Sequence, residues 1–141
     1  MDKQMNLEIT DSPIASDDEF IVKKLRDYNS QFIENDGKLL SAYIRDTDGN
    51  IVAGLTGKTY YHWLHIDYFW VLESDRKNQL GSKLICAAEA EAIKRGCTGA
   101  TLDTFSFQAL GFYEKHGYSV FGQPRGNFGK HQRYYLEKQI G

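Results

Sequence analysis

Hydrophobic and polar positions follow two different periods along this chain, which predicts a mixture of helices and strands. After the acidic run 17–19, apolar and long side chains recur at helical spacing. These residues are Phe20, Ile21, Lys24, Leu25 and Tyr28. Acidic side chains favour the start of a helix because they interact well with its dipole. The pattern therefore predicts a first helix here, preceded by a short strand over residues 5–10.

The next part of the chain changes to the patterning of strands. Residues 39–45 and 51–59 flank the segment 46–50, in which Asp48-Gly49 supplies a tight hairpin turn. A third run of strand character, residues 62–72, follows closely. These three runs predict an antiparallel meander.

The second half of the chain combines helices and strands. A long amphipathic helix is predicted to follow a basic junction and to end at Gly96, with one face directed at the core. That face comprises Leu80, Leu84, Ala87, Ala88 and Ala92. A buried strand over 98–102, a shorter helix over 107–116, and strands over 118–121 and 132–137 complete the order. The fold class is mixed α/β, with no linker and no repeat, so residues 1–141 are expected to form a single domain.

Composition limits the classes of function. A chain of 141 residues can bury roughly 68–70% of its extended surface and fold without disulfides. Net charge is −2 with a pI near 6.1, which argues against a broadly basic nucleic-acid binder. No leader pattern and no apolar run of about eighteen residues is present, so a cytoplasmic protein without a membrane partner is expected. Cys86 and Cys97 are interpreted as small core residues rather than a disulfide or a catalytic thiol.

Two familiar motifs are only partly present. The run 54–59 resembles the end of a phosphate-binding P-loop, but that motif needs a glycine at position 52, where Val52 stands, and a helix afterwards. His62 and His65 would point to opposite faces of a regular strand, and no further ligand follows at a suitable spacing. We therefore expect neither a P-loop nor a metal site.

The junction of residues 76–84 is the most informative segment for function. It joins a strand-like run to the long helix through a basic turn that contains Gly81. Unpaired N–H groups at a helix start carry about half a positive charge, and a glycine lets a ligand approach the main chain. The junction is suited to bind phosphate, although an ordinary turn with solvated basic side chains would have the same composition.

Two motifs give the chain a family resemblance. Arg76-x-x-Gln79-x-Gly81 resembles the pyrophosphate loop of the GNAT superfamily of acetyl-CoA-dependent N-acetyltransferases, and the run 112–118, Phe-Tyr-x-x-x-Gly-Tyr, resembles the late helix-to-strand segment of that family. The order of elements matches over nearly the whole chain. Gln79 stands in place of the first family glycine, and Lys77 replaces a glycine that often follows the arginine.

The resemblance implies the fold and the cosubstrate. The fold would be a meander followed by a splayed pair of parallel strands, with helices on both faces, and acetyl-CoA would lie between the splayed strands. Backbone groups of residues 69–71 would pair with the pantetheine, while the amides of 78–82 would bind the pyrophosphate. The implied binding residues are Phe69, Trp70, Val71, Arg76, Lys77, Asn78, Gln79, Leu80, Gly81, Ser82, Lys83 and Phe112. Each basic residue taken singly is equally consistent with a solvated surface charge.

Acetyl transfer from a thioester to an amine is helped by a general base and a general acid. Deprotonating a primary amine at neutral pH costs roughly 4.6 kcal/mol, so a nearby base is useful. In an unbulged strand, His65 and Asp67 would share the face of Phe69, and Glu73 at the strand end is a third candidate base. Tyr113 matches the family tyrosine that protonates the leaving thiolate in many members. The resemblance thus implies Tyr113 as general acid and leaves the base open.

The sequence leaves alternatives open for the acceptor and for the class of function. Acidic and aromatic side chains suit a small cationic amine or a lysine-like group. They are Asp17, Asp18, Glu19, Glu34, Asp36, Trp63, Tyr68 and Trp70. The leading hypothesis is direct acetyl transfer to a primary amine in a ternary complex, and the alternative is a noncatalytic acyl-CoA-binding regulatory module with the same fold. No nucleic-acid partner is expected, and homodimerisation is left open.

Overall fold

A computed structural model of the protein describes residues 4–74, 79–126 and 128–141. The chain divides into two compact units, Met1–Asn35 and Asp36–Gly141. The first unit contains helix α1 (Ala15–Asn29), which confirms the predicted first helix and carries Asp17 and Asp18 in its first turn. The strand predicted over residues 5–10 is wrong: these residues form no strand, and their apolar side chains are exposed.

The second unit is a six-stranded sheet with two helices. Its elements are β1 (Lys38–Arg45), β2 (Ile51–Tyr60), β3 (Trp63–Val71), α2 (Leu80–Lys94), β4 (Gly99–Phe105), α3 (Leu110–Lys115), β5 (Ser119–Gly122) and β6 (Arg133–Gln139). The strand order is β1-β2-β3-β4-β6-β5, in which β3 and β4 are parallel and the other neighbours antiparallel. The mixed α/β class and the meander are confirmed. The rejected P-loop segment lies within β2.

A β-bulge interrupts the meander in β3. Thr56 pairs with Tyr68 while its neighbour Gly57 pairs with Ile66, so Asp67 is the extra residue. Gly57 makes this possible, since a Cβ there would lie 2.1 Å from the carbonyl oxygen of His65.

The bulge changes which side chains face the core. Ile66 is buried before the bulge, whereas Phe69 packs against the core after it. His65 and Phe69 therefore lie on opposite faces, and the shared face expected of an unbulged strand does not form.

The core lies between the sheet and α2. Leu84, Ala88 and Ala92 are buried as predicted, but the predicted Ala87 is exposed, and Ile85 and Glu89 are buried instead. The buried face is therefore rotated slightly from the one the apolar pattern indicated.

The carboxylate of Glu89 is buried, and each of its two oxygens has a partner. The Tyr118 hydroxyl donates to Glu89 Oε2 at 2.8 Å, and Lys138 Nζ lies 2.8 Å from Oε1. A charged acceptor is tolerated in a core when such partners satisfy it. The cluster joins α2 to β6 and to the segment after α3.

Two smaller findings complete the fold. Cys97 is buried as expected, whereas Cys86 is exposed, and both are free thiols. Within the described residues, no helix is long and apolar enough to cross a membrane.

Candidate active site

An opening in the sheet lies where β3 and β4 separate. Their pairing covers Trp63 with Gly99, Leu64 with Ala100, and His65 with Thr101. Beyond these pairs β3 continues to Val71 and β4 to Phe105. The bulge at Asp67 redirects β3, while β6 holds β4 along its whole length. The predicted splayed strand pair is therefore present.

A cavity of about 540 Å³ lies at this opening. It is lined by Asp67, Tyr68, Asp103, Phe105, Gln108 and Arg133. The bulge supplies the first two residues, β4 the next two, the β4–α3 loop Gln108, and β6 Arg133. The volume lies within the range of small-molecule sites.

Of the two carboxylates that line the cavity, one is paired with an arginine and the other is not. Arg133 Nε donates to Asp103 Oδ2 at 2.9 Å, its Nη2 lies 2.8 Å from the same oxygen in an ion pair, and its guanidinium lies over the rings of Phe105 and Tyr135. Asp67 is exposed and forms no hydrogen bond or ion pair with any other described residue. The cavity therefore carries one compensated carboxylate and one free carboxylate.

Tyr113 is not among the residues that line the cavity. It is 6% exposed on α3, with its ring against Phe69 and Tyr118. Burial raises the pKa of Tyr113 to about 12, and the charge of Asp103 contributes to the rise. Asp103 lines the cavity, so the charge of one cavity residue acts on this phenol. The phenol stays protonated at neutral pH and can act as a proton donor.

The other candidate bases lie outside the cavity lining. His65 is half-buried, and burial followed by the nearby Lys58 ammonium lowers its pKa. Glu73 is exposed just beyond the end of β3. Among the predicted bases in the described chain, Asp67 is the one that lines the cavity.

The start of α2 is the described part of the predicted pyrophosphate loop. Gln79 precedes α2 with φ +57°, in the left-handed region, and Lys83 N–H donates to its carbonyl at 3.2 Å. Glycine adopts this conformation without strain, which gives a physical reason for the family glycine at this position. The first amides of α2 have no acceptor within the helix and can bind an anion.

The remaining predicted binding residues fall into three groups. Arg76, Lys77 and Asn78 lie outside the described residues. Phe69, Val71 and Leu80 pack against the core, as does Phe112, whose ring also covers Gly81. Trp70 and Lys83 are exposed, and Ser82 Oγ lies 3.0 Å from His116 Nε2.

Sequence reasoning missed four residues of the cavity, namely Asp103, Phe105, Gln108 and Arg133. Asp103 and Arg133 are distant in the sequence and meet because β4 pairs with β6. No spacing within the chain indicates that pairing. An exposed Asp103 between buried Leu102 and Thr104 is the one local signal, and it is shared by any half-buried strand.

Comparisons with known proteins give a consistent result. The model of the Acetyltransferase (GNAT) family matches residues 4–118. An acetyltransferase of Agrobacterium fabrum is 37% identical over 84% of this chain and 87% of its own. A blasticidin-S acetyltransferase of Streptomyces morookaense is 40% identical over 59% of this chain and 62% of its own. A crystal structure of an acetyltransferase from Bacillus cereus superposes with a TM-score of 0.81 and 33% identity, covering 94% and 98% of the two chains.

Proposed function

The chain belongs to the acetyltransferase (GNAT) family, and we propose that it transfers the acetyl group of acetyl-CoA to a primary amine by direct attack in a ternary complex. Its relatives are acetyltransferases, which are enzymes, and the family uses acetyl-CoA. One observation carries the proposal: the opening between β3 and β4 is lined by Asp67, a candidate base, and by Asp103, whose charge acts on the phenol of Tyr113.

The described residues fit acetyl-CoA as a cosubstrate. The pairing of β3 with β4 stops at His65, which leaves room beside residues 69–71 for the extended pantetheine. The free amides at the start of α2 suit the pyrophosphate, and the Gln79 amide is a further donor. Lys83, together with Arg76 and Lys77 beyond the described residues, would screen its charge.

The reaction needs one proton acceptor and one proton donor. The amine nitrogen forms a bond to the acetyl carbon, and the carbon–sulfur bond breaks. Asp67 receives the proton that the nitrogen loses, directly or through water. Tyr113 donates its phenolic proton to the departing thiolate, and the phenol carries this proton at neutral pH because its pKa is about 12.

A small cationic amine is the proposed acceptor. The free carboxylate of Asp67 attracts an ammonium group, and the exposed aromatic ring of Tyr68, which also lines the cavity, can stabilise a cation. A lysine side chain has the same chemistry. Since one relative is named for blasticidin-S, that compound belongs among the acceptors to be tested.

The experiment is a thiol-release assay with acetyl-CoA and a panel of cationic, neutral and anionic amines. We expect thiol release with cationic amines, and a loss of at least about tenfold in kcat for Asp67→Asn. Asp48→Asn, in the exposed β1–β2 turn, is the matched control and should be unaffected. Calorimetric binding of acetyl-CoA without thiol release from any amine would support the noncatalytic module instead, and a preference for anionic amino acids would contradict the cationic acceptor.

Residues 1–141 are proposed to be a single acetyltransferase domain. The family match runs through the boundary at Asn35 between the two compact units. We expect limited proteolysis to release no active fragment that lacks residues 4–35.

A homodimer is the proposed assembly. No residue of α1 is buried, and Phe20, Ile21 and Leu25 are 61%, 65% and 59% exposed. An exposed apolar face of this kind is a surface at which copies of a chain commonly associate. A second copy of the chain is the proposed partner, so light scattering should give twice 16.1 kDa. Leu25→Glu should lower the measured mass, whereas a monomeric wild-type protein would contradict the proposal.

A further inference from the structure

The orientation of Gln108 is fixed by its neighbours. The backbone N–H of Phe105 donates to Gln108 Oε1 at 2.7 Å, and the hydroxyl of the buried Thr104 donates to the same oxygen at 3.1 Å. Only the oxygen of an amide can accept from a backbone N–H, so the assignment of Oε1 and Nε2 is unambiguous. The amide NH₂ group must therefore point away from the loop. It forms no hydrogen bond within the described residues, and the side chain lines the cavity.

Arg133 presents further donors on the same side of the cavity. Its Nε and Nη2 are used by Asp103, and the flanking rings of Phe105 and Tyr135 hold the guanidinium plane. Nη1 has no hydrogen-bond partner among the described residues. Gln108 and Arg133 thus offer N–H donors whose directions are set before any ligand binds.

Asp67 gives its wall of the cavity hydrogen-bond acceptors instead of donors. Its carboxylate accepts hydrogen bonds and carries an uncompensated negative charge. The three charged residues of the lining, Asp67, Asp103 and Arg133, sum to a net charge of −1. A ligand carboxylate would therefore be disfavoured by the cavity as a whole, whereas a neutral oxygen could accept from the donors without that penalty.

From this arrangement we propose that the acceptor is an amine that carries a neutral carbonyl group a few bonds from its nitrogen, as in an aminoacyl amide. Asp67 binds the ammonium end, and the amide NH₂ of Gln108, assisted by Arg133, donates to the carbonyl oxygen. The inference rests on the proposed acetyl transfer and assigns Gln108 as the residue that determines specificity. A peptide amino terminus and a free aminoacyl amide share this chemistry.

Three isosteric amines test the substrate class. β-Alaninamide, β-alanine and 3-methylbutylamine have the same heavy-atom skeleton and end in an amide, a carboxylate and an alkyl group. We expect kcat/KM to be at least about tenfold higher for the amide than for either of the others. A tripeptide with a free amino terminus distinguishes the peptide source from the free amide. Equal values for the amide and the alkyl amine would overturn the inference.

Gln108→Glu tests the assigned residue. A glutamate keeps the oxygen that accepts from Phe105 and Thr104 but loses the NH₂ donor, so the thermal midpoint should hardly change. We expect the ratio of kcat/KM for β-alaninamide to that for 3-methylbutylamine to fall about tenfold or more, because the added charge acts on both amines and the lost donor acts on the amide alone. Gln139→Glu, exposed at the other end of β6, controls for the added charge.

The failure of the inference is distinguishable from failure of the proposed function. If all three amines release thiol and Gln108→Glu affects them equally, acetyl transfer stands and the carbonyl contact is wrong. If no amine releases thiol although acetyl-CoA binds, both the proposed transfer and the inference are overturned.

Discussion

At the scale of the residue, Tyr113 combines two properties that a proton donor needs. Its ring is held by neighbouring aromatic rings, and burial keeps its hydroxyl protonated at neutral pH by raising the pKa to about 12. The role of general acid came from the family resemblance. The structure adds the cause of its protonation and its proximity to Asp103.

Tyr113→Phe tests this role. Removal of the hydroxyl should lower turnover well over tenfold, because the thiolate would leave without a proton, and should leave the affinity for acetyl-CoA nearly unchanged. Thiol-release kinetics and calorimetry measure the two quantities. Unchanged turnover would remove Tyr113 from the mechanism.

Gln79 shows how a departure from a family motif can act through the backbone. Its left-handed conformation costs roughly 1–2 kcal/mol for a residue with a Cβ, and glycine would avoid this cost. Glycine also loses more conformational entropy on folding, which cancels about half of that stabilisation. Gln79→Gly should therefore raise the free energy of unfolding by about 0.5–1 kcal/mol in urea titrations.

Gln79→Ala separates the backbone from the side chain. Alanine keeps the strained conformation and loses the amide, so stability should not increase. If the amide donates to the pyrophosphate, both variants should weaken acetyl-CoA binding severalfold. Unchanged binding in both would show that the side chain takes no part.

At the scale of the element, the bulge in β3 does more for the site than any single side chain. It brings Asp67 to the cavity and places the ring of Phe69 6.0 Å from the ring of Tyr113. In an unbulged strand, His65 would lie on the same face as Phe69, which packs against the core. Gly57, a glycine inside a strand, was the sequence signal for this irregularity.

A buried ionic cluster fixes α2 relative to β6. Lys138→Met should leave the carboxylate of Glu89 with Tyr118 as its one hydrogen-bond partner in the described chain, and should lower the free energy of unfolding by about 1–3 kcal/mol. Lys23→Met removes the exposed pair with Asp27 on α1 and should cost less than about 0.5 kcal/mol. Equal losses in urea titrations of the two variants would contradict the structural role of the cluster.

At the scale of the whole molecule, the buried phenols make stability depend on alkaline pH. Folding raises the pKa of Tyr113 to about 12, and burial followed by the hydrogen bond to Glu89 raises the pKa of Tyr118. A raised pKa means that the stabilisation is complete below the unfolded value of about 10 and is lost as pH rises through the folded value. For Tyr113 the loss amounts to about 2–3 kcal/mol.

Urea unfolding between about pH 8 and pH 12 measures this loss. We expect the wild type to lose stability steeply above about pH 10, and Tyr113→Phe to lose less over the same range. Parallel curves for the two proteins would show that Tyr113 ionises alike in the folded and unfolded chains.

The sequence by itself determined most of the elements, because apolar periodicity and turn residues act locally. It located α1, the three strands of the meander and α2 to within a few residues, and two motifs indicated the family. It failed for residues 5–10, whose alternation of apolar and polar residues is typical of a strand but gains no hydrogen-bonded neighbour in this structure.

Only the tertiary structure decided the composition of the site. The bulge at Asp67, the pairing of β4 with β6 that brings Arg133 to Asp103, and the burial of Glu89 all depend on which distant segments become neighbours. A period of two predicts the face of a side chain only while the register is unbroken, and the register is set by the partner strand. The sequence therefore indicated the chemistry of the family, and the fold determined which carboxylates and donors meet the acceptor.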